Sequence, residues 1–227
     1  MRWKSMLVSD MRFQFRYGFY GLYLLFTLIY VGLLAALPDA WRGDAALLMI
    51  FTDPAAMGLF FMGAIVLFEK NERVLDSLAV SPVTPLAYVL SKIVSLGIIA
   101  TLTATAIGAA AGVMHRPLLF VVSVFLCSCL FSALGLTAAC QTKTLNQFFL
   151  LVVPMEVLTA LPGLYWLFWG QSALWALHPG AGMLMLCSGR GSTPLALLSL
   201  IVWTGLGVWI AAKRVRRMFL SVGGITL

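Results

Sequence analysis

Charged residues are scarce in this chain. Only 10% of its 227 residues are Asp, Glu, Lys or Arg, while 62% are hydrophobic. A soluble domain usually carries about 25% charged residues. A large hydrophobic core does not account for the shortage, because a soluble protein still needs a polar surface around its core. We therefore expect lipid to be the solvent for most of the chain.

Several signatures of chemistry are missing as well. The sequence contains no GxxxxGK[ST] loop for nucleotide phosphates, no GxSG, no HExxH and no pair of carboxylates inside a predicted span. We therefore expect no catalytic residue, no metal site and no cofactor bound by this chain. The cysteines lack CxxC or His-paired spacing, and we interpret them as packing residues; they are Cys127, Cys129, Cys140 and Cys187.

The net charge of +7 is distributed in clusters, at residues 1–16, 70–92 and 213–217. This pattern is typical of membrane topology rather than of a groove for nucleic acid. With six spans, twelve of the fifteen Lys and Arg residues fall on one side of the membrane, and Arg42, Arg116 and Arg190 fall on the other. The positive-inside rule then predicts that both termini are cytoplasmic.

Apolar stretches predict an all-α integral membrane protein with six transmembrane helices in a single domain, residues 1–227. Asp53-Pro54 has the pattern of an N-cap followed by Pro at the first helical position, so we start the second span at Pro54 and treat 45–52 as a short outer segment. The predicted spans cover residues 18–37, 54 to about 73, 93–114, 118–140, a fifth from 148, and 195–212, with a polar loop at 141–147.

Two further segments are apolar or amphipathic without being spans. Residues 1–17 alternate apolar with basic side chains and predict an amphipathic helix in the cytoplasmic interface; the alternative is a disordered basic tail. Residues 165–194 are apolar but interrupted by Gly and Pro. A seventh span there would place the basic C-terminus outside, so we predict a re-entrant or interfacial helical hairpin on the outer side.

The cytoplasmic segment 69–92 differs from the rest of the chain because it is charged, then amphipathic, then interrupted by two prolines. We expect a short amphipathic helix that ends at Ser81-Pro82, followed by a new helix from near Pro85. A solvated loop is the alternative, but it would not need the apolar ridge formed by Leu75 and Leu78. A docking surface explains the pattern better. Its charged residues at helical spacing are Glu69, Glu72, Arg73 and Asp76.

This segment resembles the first cytoplasmic loop of type-2 ATP-binding-cassette permeases, through L-D-S-L at 75–78, S-P-V at 81–83 and Lys92. His178-Pro179 is similar to the Asn-Pro of the family's outer hairpin. The nearest resemblance is to small bacterial permeases described as fluoroquinolone exporters. One departure is Arg73, where many members of the wider family have Gly.

The resemblance implies that the chain is the transmembrane permease subunit of an ATP-driven exporter in the bacterial inner membrane. Such a subunit moves a hydrophobic or amphipathic substrate, for example a drug, out of the cytoplasm or the inner leaflet. It implies a separate cytoplasmic ATPase that holds ATP and Mg, and a second permease chain, identical or homologous. It also implies the residues that couple to the ATPase: Glu69, Glu72, Arg73, Leu75, Asp76, Leu78, Ser81 and Pro82.

Glu156 is the ionisable residue that the predicted spans place well inside the membrane, close to a bend expected at Pro154. Such a residue normally faces a cavity or a partner. It serves either as a counter-charge for a cationic or zwitterionic substrate or as a structural, hydrogen-bonded group. We place Glu156 and Pro154 on the substrate pathway.

Two other function classes compete with the exporter. An intramembrane enzyme would need a nucleophile with a base or a pair of acids. An ion-coupled carrier usually shows inverted repeats with paired broken helices, and the sequence shows no convincing internal repeat. An ATPase that copurifies with the chain would separate the exporter from both.

Overall fold

The computed structural model describes residues 2–75, 83–170 and 172–222, and these residues form helices without any β-strand. A π-helical segment, Phe51–Ala55, joins the third and fourth helices, and a 3-10 helix, Ala173–Leu177, precedes the eighth. The α-helices are α1 Arg2–Arg16, α2 Phe19–Ala36, α3 Asp39–Ile50, α4 Met57–Asn71, α5 Pro85–Ala111, α6 Pro117–Gln141, α7 Leu145–Phe168, α8 Pro179–Ser188 and α9 Thr193–Val222.

Six helical segments within the described residues are long and apolar enough to cross a membrane. They are α2, the continuous segment Asp39–Asn71, α5, α6, α7 and α9. The predicted all-α, six-span architecture is therefore confirmed. Stretches of about 20 apolar residues leave a chain in lipid no other way to satisfy its backbone than a helix. The interfacial placement of α1 and the re-entrant placement of the outer hairpin stay predictions.

Capping residues start the helices where polar and apolar segments meet. Thr84 caps α5 by accepting a hydrogen bond from the amide of Ala87 at 3.2 Å, with Pro85 in the first turn. The helix expected from near Pro85 is thus confirmed. The third span itself begins there and not at residue 93, because Lys92, which ended the apolar run in the sequence, is buried inside the helix bundle. Thr144 caps α7 in the same way, so the loop expected at 141–147 shrinks to the residues between Gln141 and Leu145.

The second span starts earlier than expected. The helix runs from Asp39 to Asn71 without interruption, so the prediction of a start at Pro54 with a separate outer segment is wrong. Proline lacks an N–H and its ring crowds the preceding turn, and the π-helical turn Phe51–Ala55 accommodates it within a continuous helix. The hydroxyl of Thr52 donates to the carbonyl of Leu48 at 3.0 Å, one turn earlier.

Two helix boundaries in the C-terminal part of the chain also differ from the predicted ones. The last helix does not stop at 212 but continues to Val222 through the basic cluster, where Lys213 lies 3.9 Å from the ring centroid of Trp209. Charged residues can end a span without ending a helix. Helix α7 extends to Phe168 and α9 begins at Thr193, so the segment 165–194 starts and ends inside candidate spans, with the 3-10 helix and α8 between them.

The centre of the bundle is formed by α4, α5, α6 and α9, and close approach depends on glycine. A Cβ atom at Gly135 of α6 would lie 2.2 Å from the carbonyl oxygen of Leu59 in α4, and one at Gly63 would overlap the ring of Phe148. By contrast, α2 lies at the periphery, with Tyr23 and Leu34 as its buried residues. Helix α7 is similarly uncovered along most of its length.

Candidate functional site

The last turn of α4 carries two adjacent charged residues that bind different helices. The ammonium of Lys70 donates to the carbonyl oxygens of Ala139 at 2.7 Å, Thr142 at 2.8 Å and Cys140 at 3.4 Å. These carbonyls belong to the end of α6, where helical acceptors lack intrahelical donors. Lys70 therefore anchors the start of segment 69–92 to the fourth candidate span.

Its neighbour Glu69 faces the opposite way, toward α5. One carboxylate oxygen lies 2.5 Å from the ammonium of Lys92, and the other accepts a hydrogen bond from the hydroxyl of Tyr88 at 2.6 Å. All three side chains are buried, with Lys92 only 3% exposed. Glu69 is thus part of an internal ionic contact and does not belong to an exposed docking face.

Asp10 of α1 makes the same two kinds of contact with the same helix. One oxygen lies 3.1 Å from the ammonium of Lys92, and the other accepts from the hydroxyl of Ser91 at 2.7 Å. We call Asp10, Glu69, Tyr88, Ser91 and Lys92 the shared-lysine cluster. It joins α1, the end of α4 and α5 at one end of the bundle.

A further contact extends this junction by one turn. The side-chain amide of Gln14 donates to the hydroxyl of Ser95 at 2.6 Å, and Gln14 is fully buried. Asp10 and Gln14 are four residues apart on α1, as are Ser91 and Ser95 on α5, so the two helices are joined along one face of each. The amphipathic pattern of residues 1–17 thus includes a polar stripe that binds protein.

The predicted coupling residues beyond Glu69 are separated by the structure. Glu72 and Arg73 are exposed, whereas Leu75 is only 2% exposed and packs in the core cluster of the described residues. The coupling role of these three residues stays a prediction. The helical spacing expected from Glu69 onward is also interrupted, because α4 ends at Asn71. Four other predicted residues lie outside the described residues: Asp76, Leu78, Ser81 and Pro82.

Arg73 adopts a left-handed backbone conformation, with φ of 54°. Among the described residues it is the one non-glycine residue with positive φ. This conformation suits glycine far better than arginine. Arg73, the residue that departs from the pattern of the resemblance, is therefore the point at which the chain turns away from α4.

Next to this turn an open groove lies between α1 and α4. Its floor is aromatic: Phe13 stacks on Tyr17 with ring centroids 4.3 Å apart, and Tyr17 meets Phe68 edge to face at 4.9 Å. Its rim carries two arginines of α1 and one glutamate. The lining residues are Ser9, Arg12, Phe13, Arg16, Tyr17, Phe68, Glu72 and Val74.

Glu156 lies eleven residues after the start of α7, about 16 Å along a helix of about 36 Å, as expected for the middle of a span. It is half-buried, and Pro154 is exposed on the same helix. Thr159, one turn on, donates its hydroxyl to the carbonyls of Met155 and Glu156. The helix is continuous through Pro154.

A second carboxyl occupies the same depth, and the sequence analysis missed it. Helix α7 runs antiparallel to the second span: the ring of Phe51 lies beside Gly163, and Phe60 contacts Phe149. This register places Asp53 beside the turn that carries Glu156, and the two carboxyls interact electrostatically. The Asp53-Pro54 pattern predicts a helix cap at the start of a span, so the sequence gives no reason to expect Asp53 inside one.

No group of three or more His, Cys, Asp or Glu side chains that could hold a metal ion occurs among the residues that the structure describes. Within the same residues, neither Asp53 nor Glu156 forms an ion pair. The molecule thus carries two kinds of acidic site: a paired one at the α1 end and an unpaired one in the middle of the bundle.

Comparison with known proteins gives consistent matches. A model of the fluoroquinolones export permease protein family matches residues 1–213. Two curated relatives, both fluoroquinolones export permease proteins of Mycobacterium tuberculosis, from strains CDC 1551 / Oshkosh and ATCC 25618 / H37Rv, are each 26% identical over 180 residues. The matched region covers 78% of this chain and 76% of each relative.

Proposed function

Because the chain belongs to the fluoroquinolones export permease family, we propose that it is the transmembrane permease subunit of an ATP-driven exporter. Its substrate is a hydrophobic or amphipathic compound, such as a drug, moved out of the cytoplasm or the inner leaflet. The observation that carries this proposal is the family match over nearly the whole chain, joined to six helices able to span a membrane. The export named for the relatives supports the direction of transport.

The proposal includes a separate cytoplasmic ATP-binding-cassette ATPase that holds ATP and Mg, since the sequence has no phosphate-binding loop of its own. The exposed residues Glu72 and Arg73 and the adjacent groove with Arg12 and Arg16 offer polar and charged contacts at the α1 end. The predicted coupling residues outside the described part of the chain complete this contact in the proposal.

A second permease chain, identical or homologous, is also part of the proposal. Helices α2 and α7 bury few of their residues within this chain, and both present long rows of exposed large apolar side chains. A second permease chain against these two helices would enclose a pathway, while lipid covers the remaining apolar surface. We place both termini on the cytoplasmic side of the bacterial inner membrane, so that a cysteine introduced at Ser221 is not labelled from outside intact cells.

For the substrate pathway we propose Glu156, with the kink-prone Pro154 next to it, as the counter-charge for a cationic or zwitterionic compound. Support comes from its half-buried position in the middle of α7 and from Asp53 at the same depth. An unpaired carboxyl inside a membrane normally faces a cavity or a partner. Two of them on facing spans also suit an ion-coupled carrier, which is the alternative function.

The test is purification of the chain from its native membrane under mild detergent, followed by identification of bound proteins and assay of ATP hydrolysis. We expect a P-loop ATPase in stoichiometric amount, and drug-dependent hydrolysis. A stable complex without any ATPase, together with drug export driven by an ion gradient, would replace the exporter by the carrier. Hydrolysis of a peptide or lipid by the isolated chain would indicate an intramembrane enzyme.

A further inference from the structure

Helix α5 offers two equivalent carboxylate sites on one face. Tyr88 and Lys92 hold Glu69 through one hydroxyl and one ammonium contact, and Ser91 and Lys92 hold Asp10 in the same way. One ammonium thus serves two acids that come from different helices. Each carboxylate oxygen in the cluster accepts from one donor.

This arrangement is not what stability alone requires. Buried ion pairs carry a large desolvation cost, and neutral side chains of similar size often replace them without loss of stability. The shared-lysine cluster gathers two acids around one base, Lys92, which is only 3% exposed. What the charges supply over a neutral contact is a defined geometry, because Lys92 must stay within reach of both acids.

The cluster also lies next to the surface proposed to meet the ATPase. Glu69 is followed by Lys70, which binds the end of α6, and then within three residues by exposed Glu72 and Arg73. A displacement of Glu72 and Arg73 would therefore act on the short stretch of chain that Glu69 and Lys70 anchor. From there it reaches α5 through Lys92, and α1 through Asp10 and the parallel contact of Gln14 with Ser95.

We propose that Asp10, Glu69 and Lys92 are positioning residues for energy coupling: they hold α1 and the start of the cytoplasmic segment on α5 as one unit, so that movement imposed by the ATPase reaches the third span and α1 together. This inference rests on the proposed function. It assigns to α1 a mechanical role through protein contacts, in addition to any contact with the membrane surface.

The test compares the wild-type complex with a neutral triple variant, Asp10→Asn, Glu69→Gln and Lys92→Met. The two amides can still accept from the hydroxyls of Ser91 and Tyr88, so the helices stay packed while the shared charge is lost. We expect the complex to assemble and hydrolyse ATP, but the amount of drug transported per ATP to fall at least about fivefold. The matched control neutralises the exposed pair of Asp44 and Arg190, 3.4 Å apart, and should keep the wild-type ratio.

The single variant Asp10→Asn covers the case in which the triple variant does not fold. It leaves Lys92 paired with Glu69, and we expect a smaller fall in the transport-to-ATP ratio with normal assembly. A wild-type ratio in either folded variant would overturn the inference and leave the cluster a purely structural contact. A wild-type preparation that contains no ATPase would contradict the proposed function, and this inference with it. If the complex contains the ATPase but the variants transport as much drug per ATP as the wild type, the inference alone is contradicted.

Discussion

Among the residues that the structure describes, acidic side chains lie at two places inside the helical bundle, and the two places differ in whether a cation is within reach. At the α1 end, Asp10 and Glu69 share Lys92 and are both hydrogen-bonded by hydroxyls of α5. In the middle of the bundle, the carboxyls of Asp53 and Glu156 lie on neighbouring spans, close enough to interact electrostatically, and neither forms an ion pair among the described residues. A cluster in which every carboxylate oxygen already has a donor suits a fixed junction. An unsaturated pair suits a site whose partner arrives and leaves.

The largest effect that would break this comparison is expected for Lys92→Met. It leaves Glu69 buried without a cation and removes the ion-pair partner of the partly buried Asp10, and removal of one partner from a buried ion pair costs about 3–5 kcal/mol. Thermal unfolding of the purified protein in detergent measures the loss. Lys143→Met, a change at an exposed lysine, is the matched control and should leave the melting temperature nearly unchanged. Equal melting temperatures for the two variants would show that the acids of the cluster do not need the charge of Lys92 for the stability of the fold.

A smaller loss is expected for Lys70→Met, which removes the contacts to the last carbonyls of α6 but leaves no buried charge behind. A hydrogen bond from a charged group contributes about 1.5–3 kcal/mol, and the carbonyls regain some of it from water. The same unfolding assay measures it, with Lys70→Arg as the variant that keeps the charge. A loss as large as that of Lys92→Met would mean that the anchoring to α6, rather than the ionic cluster, holds this end of the bundle together.

Removal of charge in the middle of the bundle should instead change transport and leave stability intact. For Glu156→Gln we expect about a tenfold fall in export of cationic substrates, equivalent to ~1.4 kcal/mol, with normal assembly and basal ATP hydrolysis. Asp53→Asn should have a similar effect, and the double variant should lose less than the sum, because both carboxyls act on one substrate group. If export of neutral and cationic compounds falls alike and the complex is destabilised, Glu156 is structural.

The smallest effect concerns the turn that follows the shared-lysine cluster. Arg73→Gly relieves a left-handed conformation that costs an L-residue about 1–2 kcal/mol, offset in part by the greater freedom of glycine in the unfolded chain. We expect a gain of up to about 1 kcal/mol in unfolding free energy. Glu72→Gly, at an ordinary φ of −80°, should give no gain. A loss at both positions would mean that the Arg73 side chain makes a stabilising contact.

The span count and the helical class followed from the sequence because lipid imposes a simple rule: about 20 apolar residues form a helix whose backbone is satisfied internally. The span boundaries were predicted less well, because a charged residue was assumed to lie in water and so to end a span. Lys92 and the basic residues of α9 lie within helices, one because acids neutralise it and the others because a helix can extend beyond a membrane. The Asp-Pro pattern at 53–54 was ambiguous in the same way, because a π-helical turn can absorb a proline inside a helix.

The sequence predicted which segments carry the candidate site, but not which side chains contact one another within it. The sequence pointed to the segment from Glu69 and to Glu156, and it marked Arg73 as the residue out of pattern. It did not show that Leu75 is buried, nor that Asp10 and Tyr88 belong to the same site as Glu69. Along the chain, Asp10 is 59 residues from Glu69 and 82 from Lys92, and Tyr88 is 19 from Glu69. Periodicity within one helix carries no information about contacts between helices.

Composition and hydropathy by themselves determined that this chain is a helical protein with six segments able to span a membrane, because that property depends only on the local free energy of residues in lipid or water. The tertiary structure decided which charges are partners. Glu69 has an ion-pair partner, and Glu156 has none among the described residues, because packing brings a cation within about 3 Å of the first carboxylate and not of the second. For Glu69 that distance is set by how α4 and α5 meet.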